Sequence, residues 1–252
     1  PANVAVIANA LDGVRMPMKD GKRAEKRMTS VKRPKGPAGY KEAAVATVSV
    51  YSGENTDEGP ERLLTIRFGR MPESKKVTLH GQLTAEYVAV RATLPLAKVV
   101  NIADGAKENW RILREVAPEG IEIVDFFHAC EHLKRGLDAD LGEGSADAKA
   151  IFANYRISLR DDDGGVEKVI RTLLYRANKA TGTKAKKIKA ELTYFRNHRN
   201  QMRYSEYQRK GLPIGSGVVE ATCKTLVTHR VKRSGMRWRI PGGQAILTLR
   251  GL

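Results

Sequence analysis

The pattern of apolar and polar positions divides the chain into a strand-rich start, a helical middle and a mixed end. Residues 4–11 (VAVIANAL) form a nearly continuous apolar run closed by Asp12-Gly13, which predicts a central strand buried on both faces. Residues 44–51 and 63–68 alternate, with Val48 and Val50 in the first and Leu64, Ile66 and Phe68 in the second. The turn-rich GENTDEGP (53–60) between them predicts a hairpin. Leu79, Leu83, Tyr87 and Val90 fall at helical spacing within residues 75–94, and Pro95 ends that helix. KVVNI (98–102) reads as a second buried strand, running into Ala103-Asp104-Gly105. Trp110, Leu113 and Val116 mark a short amphipathic helix, and IEIVDFF (121–127) a further strand carrying Asp125. A hairpin followed by strand–helix–strand order implies an α/β fold with a mixed sheet flanked by helices.

From residue 128 to about residue 210 the strand signal stops. Ile151, Tyr155 and Leu159 share one helical face; Val166, Ile170, Leu173 and Ala177 share a second; Ile188, Leu192 and Phe195 share a third. The tract predicts an all-helical insertion (128–210) between a first core segment (1–127) and a last one (211–252), because a plain loop of that length is uncommon. The last segment opens with GLPIGSG, continues as a helix carrying Glu220 and ending at Gly235, and closes in an apolar, strand-like run reaching Leu252.

Charge narrows the choice of partner. The 252 residues carry a formal net charge of +17, with a pI near 10.0. Such a surplus opposes compaction by self-repulsion and favours a polyanion, with nucleic acid the first candidate. No apolar stretch is long enough to span a bilayer, so a membrane partner is not expected. No secretory signal opens the chain, and two cysteines, Cys130 and Cys223, suit a reducing cytoplasm better than a disulfide framework. The opening Pro1 gives the chain the look of a piece of a longer protein. The basic positions concentrate after Glu220, at Lys224, Arg230, Lys232, Arg233 and Arg237, beside Trp238. Arginine forks onto phosphate, and Trp238 could stack on an unpaired base or anchor the core. Arg196, Arg199, Arg203 and Arg209 add a second basic stripe late in the insertion. The basic stretch 19–39 reads as an exposed loop.

The acidic positions supply the candidate chemistry. Two buried strands run into Asp-Gly, at Asp12-Gly13 and Asp104-Gly105, and strand ends are where α/β sheets gather ligands. If those strands are neighbours, the two carboxylates lie side by side and one pKa rises unless a cation sits between them. Glu220 on a helix crossing the sheet can add a third carboxylate. Three carboxylates suit Mg²⁺ or Mn²⁺, and two such ions about 4 Å apart are the arrangement of two-metal phosphoryl transfer. Asp20 is the fallback for the first position; Asp161 to Asp163 reads as a solvated turn.

The strings ADGAKENW (103–110), DFFHACEHL (125–133) and GLPIGSGVVEATCK…HRVKRSGMRW (211–238), with their Asp…Asp…Glu order, resemble the DDE transposases of bacterial insertion sequences of the Kra type, relatives of the Mutator-like transposases. That resemblance implies a ribonuclease H-like sheet with the helical insertion before the last catalytic residue. It also implies Asp12, Asp104 and Glu220 as a triad holding two Mg²⁺ or Mn²⁺ ions. Such families carry a Cys/Asp-x-x-His motif after the second aspartate, which Asp125 and His128 match. The implied activity is DNA cleavage and strand transfer at transposon ends, in the bacterial cytoplasm, by a dimer or larger synaptic assembly. The family's N-terminal end-recognition domain has no counterpart in this sequence.

Two rival readings stay open from the sequence. The charge alone suits a DNA-binding module without catalysis, derived from a truncated or domesticated transposase. His128-Ala129-Cys130-Glu131-His132 also fits the H-x-x-E-H pattern of a zinc peptidase. A structural zinc using Cys130, His132 or Cys223 is a further possibility.

Overall fold

In the computed structural model, which describes residues 5–19, 39–56, 59–232 and 236–251 (54–56 and 230 by backbone only), every position from Val6 to Leu11 is buried. A strand apolar on both faces needs neighbours on both sides and layers above and below. This strand, β1 (Val6–Pro17), pairs antiparallel with β2 (Tyr40–Thr56) on one side and parallel with β4 (Lys98–Ala103) on the other. Outside them, β3 (Gly59–Arg70) pairs antiparallel with β2, and β5 (Ile121–Val124) pairs parallel with β4. The described residues thus form a five-stranded mixed sheet of order β3-β2-β1-β4-β5.

The register of β1 on β4 has a built-in pin. Asn9 stands opposite Asn101, both buried, and Asn9 Nδ2 donates to Asn101 Oδ1 at 3.2 Å. Asn101 Nδ2 donates onward to the carbonyls of Ala117 (2.9 Å) and Leu113 (3.4 Å). A Cβ at Gly120 would fall 2.5 Å from that nitrogen, so glycine there leaves room for the amide. A one-residue slip would set Asn101 against an apolar neighbour, and a buried unpaired amide costs about 1–3 kcal/mol.

Helix α1 (Val77–Thr93) follows a 3-10 turn at Ser74–Lys76 and buries Leu79, Leu83, Tyr87 and Val90. Helix α2 (Lys107–Val116) connects β4 to β5 and buries Trp110, Ile112, Leu113 and Val116. The insertion consists of α3 (Phe126–Leu141), α4 (Ala146–Asp161), α5 (Gly165–Lys179), α6 (Gly182–His198) and α7 (Tyr204–Arg209). It shares one apolar cluster with the sheet, through Phe126, Leu133, Leu173 and Phe195. The chain then returns through α8 (Gly217–Thr222), which contacts β1, β2 and β3. A π-helical turn at Cys223–Thr228 and a last turn at His229–Val231 prolong α8.

Several sequence expectations change. Asp12-Gly13 is not a strand end: β1 runs on to Pro17 because β2 keeps supplying partners down to Tyr40. What ends at Leu11 is the pairing with β4. The hairpin strands are longer than the alternation suggested, reaching Thr56 and starting again at Gly59. The run 121–127 is not all strand, since Asp125 caps a helix that begins at Phe126. The closing run is helix α9 (Ile240–Gly251) instead of a strand. It packs on β3, where Gln244 accepts from Met71 N at 2.9 Å and donates to Gly69 O at 3.2 Å. Those bonds occupy polar groups of an edge strand that would otherwise be open. Asp20, most of the basic 19–39 stretch, Arg233 and Gly235 lie outside the described residues, as does the side chain of Arg230. Among the described residues no helix is long and apolar enough to cross a membrane.

Candidate active site

Because Leu11 pairs with Ala103, the next residue on each chain is an aspartate: Asp12 on β1 and Asp104 just past β4. The two belong to parallel neighbouring strands and exit the paired region together. Asp12 is half-buried, and its Oδ1 accepts from Gly13 N at 2.6 Å. Burial pushes its carboxyl above the usual carboxylate range; the Gly13 amide, the His128 ring and the Cys223 thiol pull it down, and the charge of Asp104 raises it again. Asp12, Asp104 and His128 therefore share one electrostatic neighbourhood.

Asp104 is held from below. Its Oδ1 accepts from Ala106 N at 2.9 Å and from Asn109 Nδ2 at 3.1 Å. Gly105 follows with φ 98°, and a Cβ there would lie 3.0 Å from the ring of Tyr194. Tyr194, on α6 of the insertion, donates its hydroxyl to the Asp104 carbonyl at 2.8 Å. Its ring stacks on His132, with centroids 3.4 Å apart.

Glu220 sits in the first turn of α8, exposed, with its amide bonded to Ser216 O at 2.9 Å. One turn on, Cys223 Sγ lies 3.5 Å from Asp12 Oδ2. Burial raises the Cys223 thiol well above its usual range, and the charges of Asp12 and Glu220 add to it. The Cys223 contact thus marks how the α8 segment is laid over β1. The π-helical turn beginning at Cys223 widens the helix at that contact, a feature frequent at functional sites.

Asp125 has a different part. It is 2 % exposed and uses both oxygens: Oδ1 accepts from Phe127 N (2.7 Å) and His128 N (3.0 Å), and Oδ2 accepts from Ser216 N and Oγ. It caps α3 and clips the segment before Glu220 to the end of β5. With both oxygens so occupied, it has the character of a brace. His128, one turn into α3, carries the electrostatic link to Asp12 instead, with Glu131 Oε2 at 3.7 Å from its Nδ1. Phe127 turns the other way and is 45 % exposed. It lines a groove of about 730 Å³ with Arg62, Arg156, Ile214 and Gly217.

The H-x-x-E-H histidines separate. His132 Nδ1 is 2.6 Å from Glu191 Oε2, while His128 Nδ1 lies 3.7 Å from Glu131 Oε2. Cys130 and Cys223 are both free and buried, Cys130 with its thiol pushed up to about 11 by burial. Among the described residues no group of three His, Cys, Asp or Glu side chains comes close enough to hold a metal ion. That speaks against the zinc readings, and it also means that Glu220 does not join the aspartate pair in this arrangement. The pair itself suits Mg²⁺ or Mn²⁺: its donors are oxygens only, and a cation between them would offset the mutual repulsion and burial that raise Asp12. The donor set fits in chemistry and in two of its three members.

The expected DNA contacts divide. Lys224, Lys232 and Arg237 are exposed and make no ion pair among the described residues. Arg199 is paired with Glu167 at 2.9 Å, and Arg203 approaches Glu206 at 3.8 Å. Trp238 is an anchor: its indole donates to Val231 O at 2.8 Å, and its backbone bridges Met18. Sequence reasoning missed Tyr194, Ser216 and Asn109. Tyr194 reads as one more apolar-face residue, Asn109 is hidden among charged neighbours, and only the GSG string hinted at Ser216. The chain matches no protein-family model, and no curated protein matches it.

Proposed function

We propose that this chain is the catalytic domain of a DDE-type transposase with a ribonuclease H-like sheet, cleaving DNA and joining the released end to a target. The observation that carries the reading is the β1–β4 register, which sets Asp12 beside Asp104 while Cys223 brings the Glu220 helix against Asp12. The strand order β3-β2-β1-β4-β5 and the helical insertion before Glu220 agree with that architecture. The exposed Lys224, Lys232 and Arg237 suit contact with a phosphate backbone.

Asp12 and Asp104 are the residues that would hold divalent ions, and Glu220, which stands apart from them in this arrangement, would have to turn toward the pair to complete the set of three. When bound, such ions polarise the scissile phosphate and offset the charge that develops on it. The protein's own part is positional. Asn109 and Ala106 orient Asp104, Gly13 orients Asp12, and the Asp125–Ser216 clip sets the start of the Glu220 helix. His128, whose charge would act on Asp12, would steady a phosphate or a water in that neighbourhood. In the first step a water oxygen bonds to phosphorus as the P–O3′ bond breaks, and the leaving 3′ oxygen takes up a proton. In the second, that 3′-OH loses its proton and bonds to a target phosphorus as the target's own P–O3′ bond breaks. No covalent enzyme intermediate is needed.

Asp104→Asn is the test, with a Mg²⁺-dependent cleavage and strand-transfer assay as the readout. Loss of cleavage with DNA affinity retained supports the reading, and cleavage by the variant at the wild-type rate overturns it. A wild-type protein that binds DNA with strong salt dependence but never nicks it would favour the non-catalytic module, a reading that the separation of Glu220 from the aspartate pair keeps in play.

A further inference from the structure

We infer that Lys76 and Asn109 are positioning residues for Asp104, forming a polarised relay that dictates which way its carboxylate faces. The inference rests on the proposed function and deepens it.

The starting observation is strain. Lys75 and Lys76 are consecutive non-glycine residues in the left-handed region, at φ 55° and 52°. Such a residue is strained and persists only where its surroundings hold it. The conformation turns Lys76 inward: it is 9 % exposed, although lysine is rarely buried without a partner. Its Nζ donates to Asn109 Oδ1 at 2.9 Å and lies 3.3 Å from Glu42 Oε1. Asn109, 3 % exposed, then donates Nδ2 to Asp104 Oδ1 at 3.1 Å.

The order of groups matters. An ammonium can only donate, so it fixes the oxygen end of the Asn109 amide towards itself. The NH₂ end is thereby committed to Asp104. Without Lys76 the amide could turn over and present its oxygen to a carboxylate, a repulsive contact. Ala106 N already satisfies the turn at Asp104 Oδ1, so the Asn109 bond is not needed to close it. The second donor instead fixes the carboxylate plane and leaves Oδ2 without a hydrogen bond from the described residues. Glu42, the other partner of Lys76, lies over Gly13, where a Cβ would fall 2.5 Å from its carboxyl carbon. The chain Glu42–Lys76–Asn109–Asp104 therefore wraps from beside Asp12 round to Asp104, with a buried cation serving both flanks of the acidic pair.

The experiment uses Lys76→Met, Lys76→Arg and Asn109→Ser in the full chain. Mn²⁺ binding is followed by electron paramagnetic resonance without DNA, and cleavage is titrated with Mg²⁺. Lys76→Met and Asn109→Ser should weaken Mn²⁺ binding about tenfold or more, as loss of a group orienting a metal ligand does. The Mg²⁺ concentration for half-maximal cleavage should rise in parallel, with DNA affinity unchanged. Lys76→Arg keeps a donor-only cation and should recover part of the loss. Should Lys76→Met fail to fold, Asn109→Ser carries the same expectation, since Lys76 keeps Glu42. Wild-type Mn²⁺ affinity in a folded Lys76→Met or Asn109→Ser overturns the relay alone. A wild-type protein that binds no Mn²⁺ and cleaves nothing overturns the relay and the proposed function together.

Discussion

Asn9 and Asn101 face each other across β1 and β4, and three residues further along the same two strands lie Asp12 and Asp104. One amide pair in the core thus sets the alignment of the acidic pair at its rim. Asn101→Leu leaves Asn9 without its acceptor and should cost about 2–3 kcal/mol in urea unfolding. The double change Asn9→Val with Asn101→Val removes both polar groups and should recover most of that stability. Cleavage should nevertheless stay below wild type, because nothing polar then pins the register.

The half-buried carboxylate of Asp12 gives a pH signature. Its folded-state pKa is raised, with burial the largest cause, so ionising it opposes folding. The stability linked to its protonated form is fully present below the unfolded-state pKa and is lost as pH rises through the folded-state pKa. In chelator-treated protein, Asp12→Asn should melt higher than wild type at neutral pH. The gap should close as pH falls through the raised pKa. Melting curves across that range decide it; a gap that widens on acidification counts against the burial argument.

The Asp125 clip predicts a loss of stability that spares DNA affinity. Asp125→Ala strips acceptors from Phe127 N, His128 N and both Ser216 donors. It should destabilise by about 3 kcal/mol, combining a lost helix cap with unpaired buried donors. Ser216→Ala loses only the hydroxyl bond and should cost about 1 kcal/mol. Chemical denaturation gives both numbers, and filter binding should show DNA affinity within twofold of wild type for Ser216→Ala.

Salt dependence should separate the two basic stripes. Lys224→Ala and Lys232→Ala each remove an exposed charge that makes no ion pair among the described residues. Each should lower the slope of log K against log salt by about 1 if it meets a phosphate. Arg199→Ala, which breaks the pair with Glu167, should leave that slope nearly unchanged.

Much of this arrangement was legible in the residues. A run buried on both faces, VAVIANAL, demanded a central strand, and a tract without strand periodicity demanded helices. The nearness of Asp12 and Asp104 was conditional in sequence, because adjacency of strands is not written in either segment. The Asn9–Asn101 pair decides it, and its polar partners meet only in the fold. The end of β5 was misjudged because IEIVDFF keeps its apolar density while Asp125 switches the backbone to helix. The closing helix was read as a strand because its local pattern carries little periodicity; Gly69 of β3 and Met71 just past it give it somewhere to bind. Tyr194 was invisible as anything but core, since its hydroxyl finds the Asp104 carbonyl only after the insertion folds back.

That last contact ties the helical insertion to the acidic turn. Tyr194 grips the main chain of the acidic turn with its hydroxyl and His132 with its ring face, so a pull on α6 is transmitted to Asp104 within a single side chain. Under the proposed function, a duplex leaning on those helices would therefore load the turn that carries Asp104.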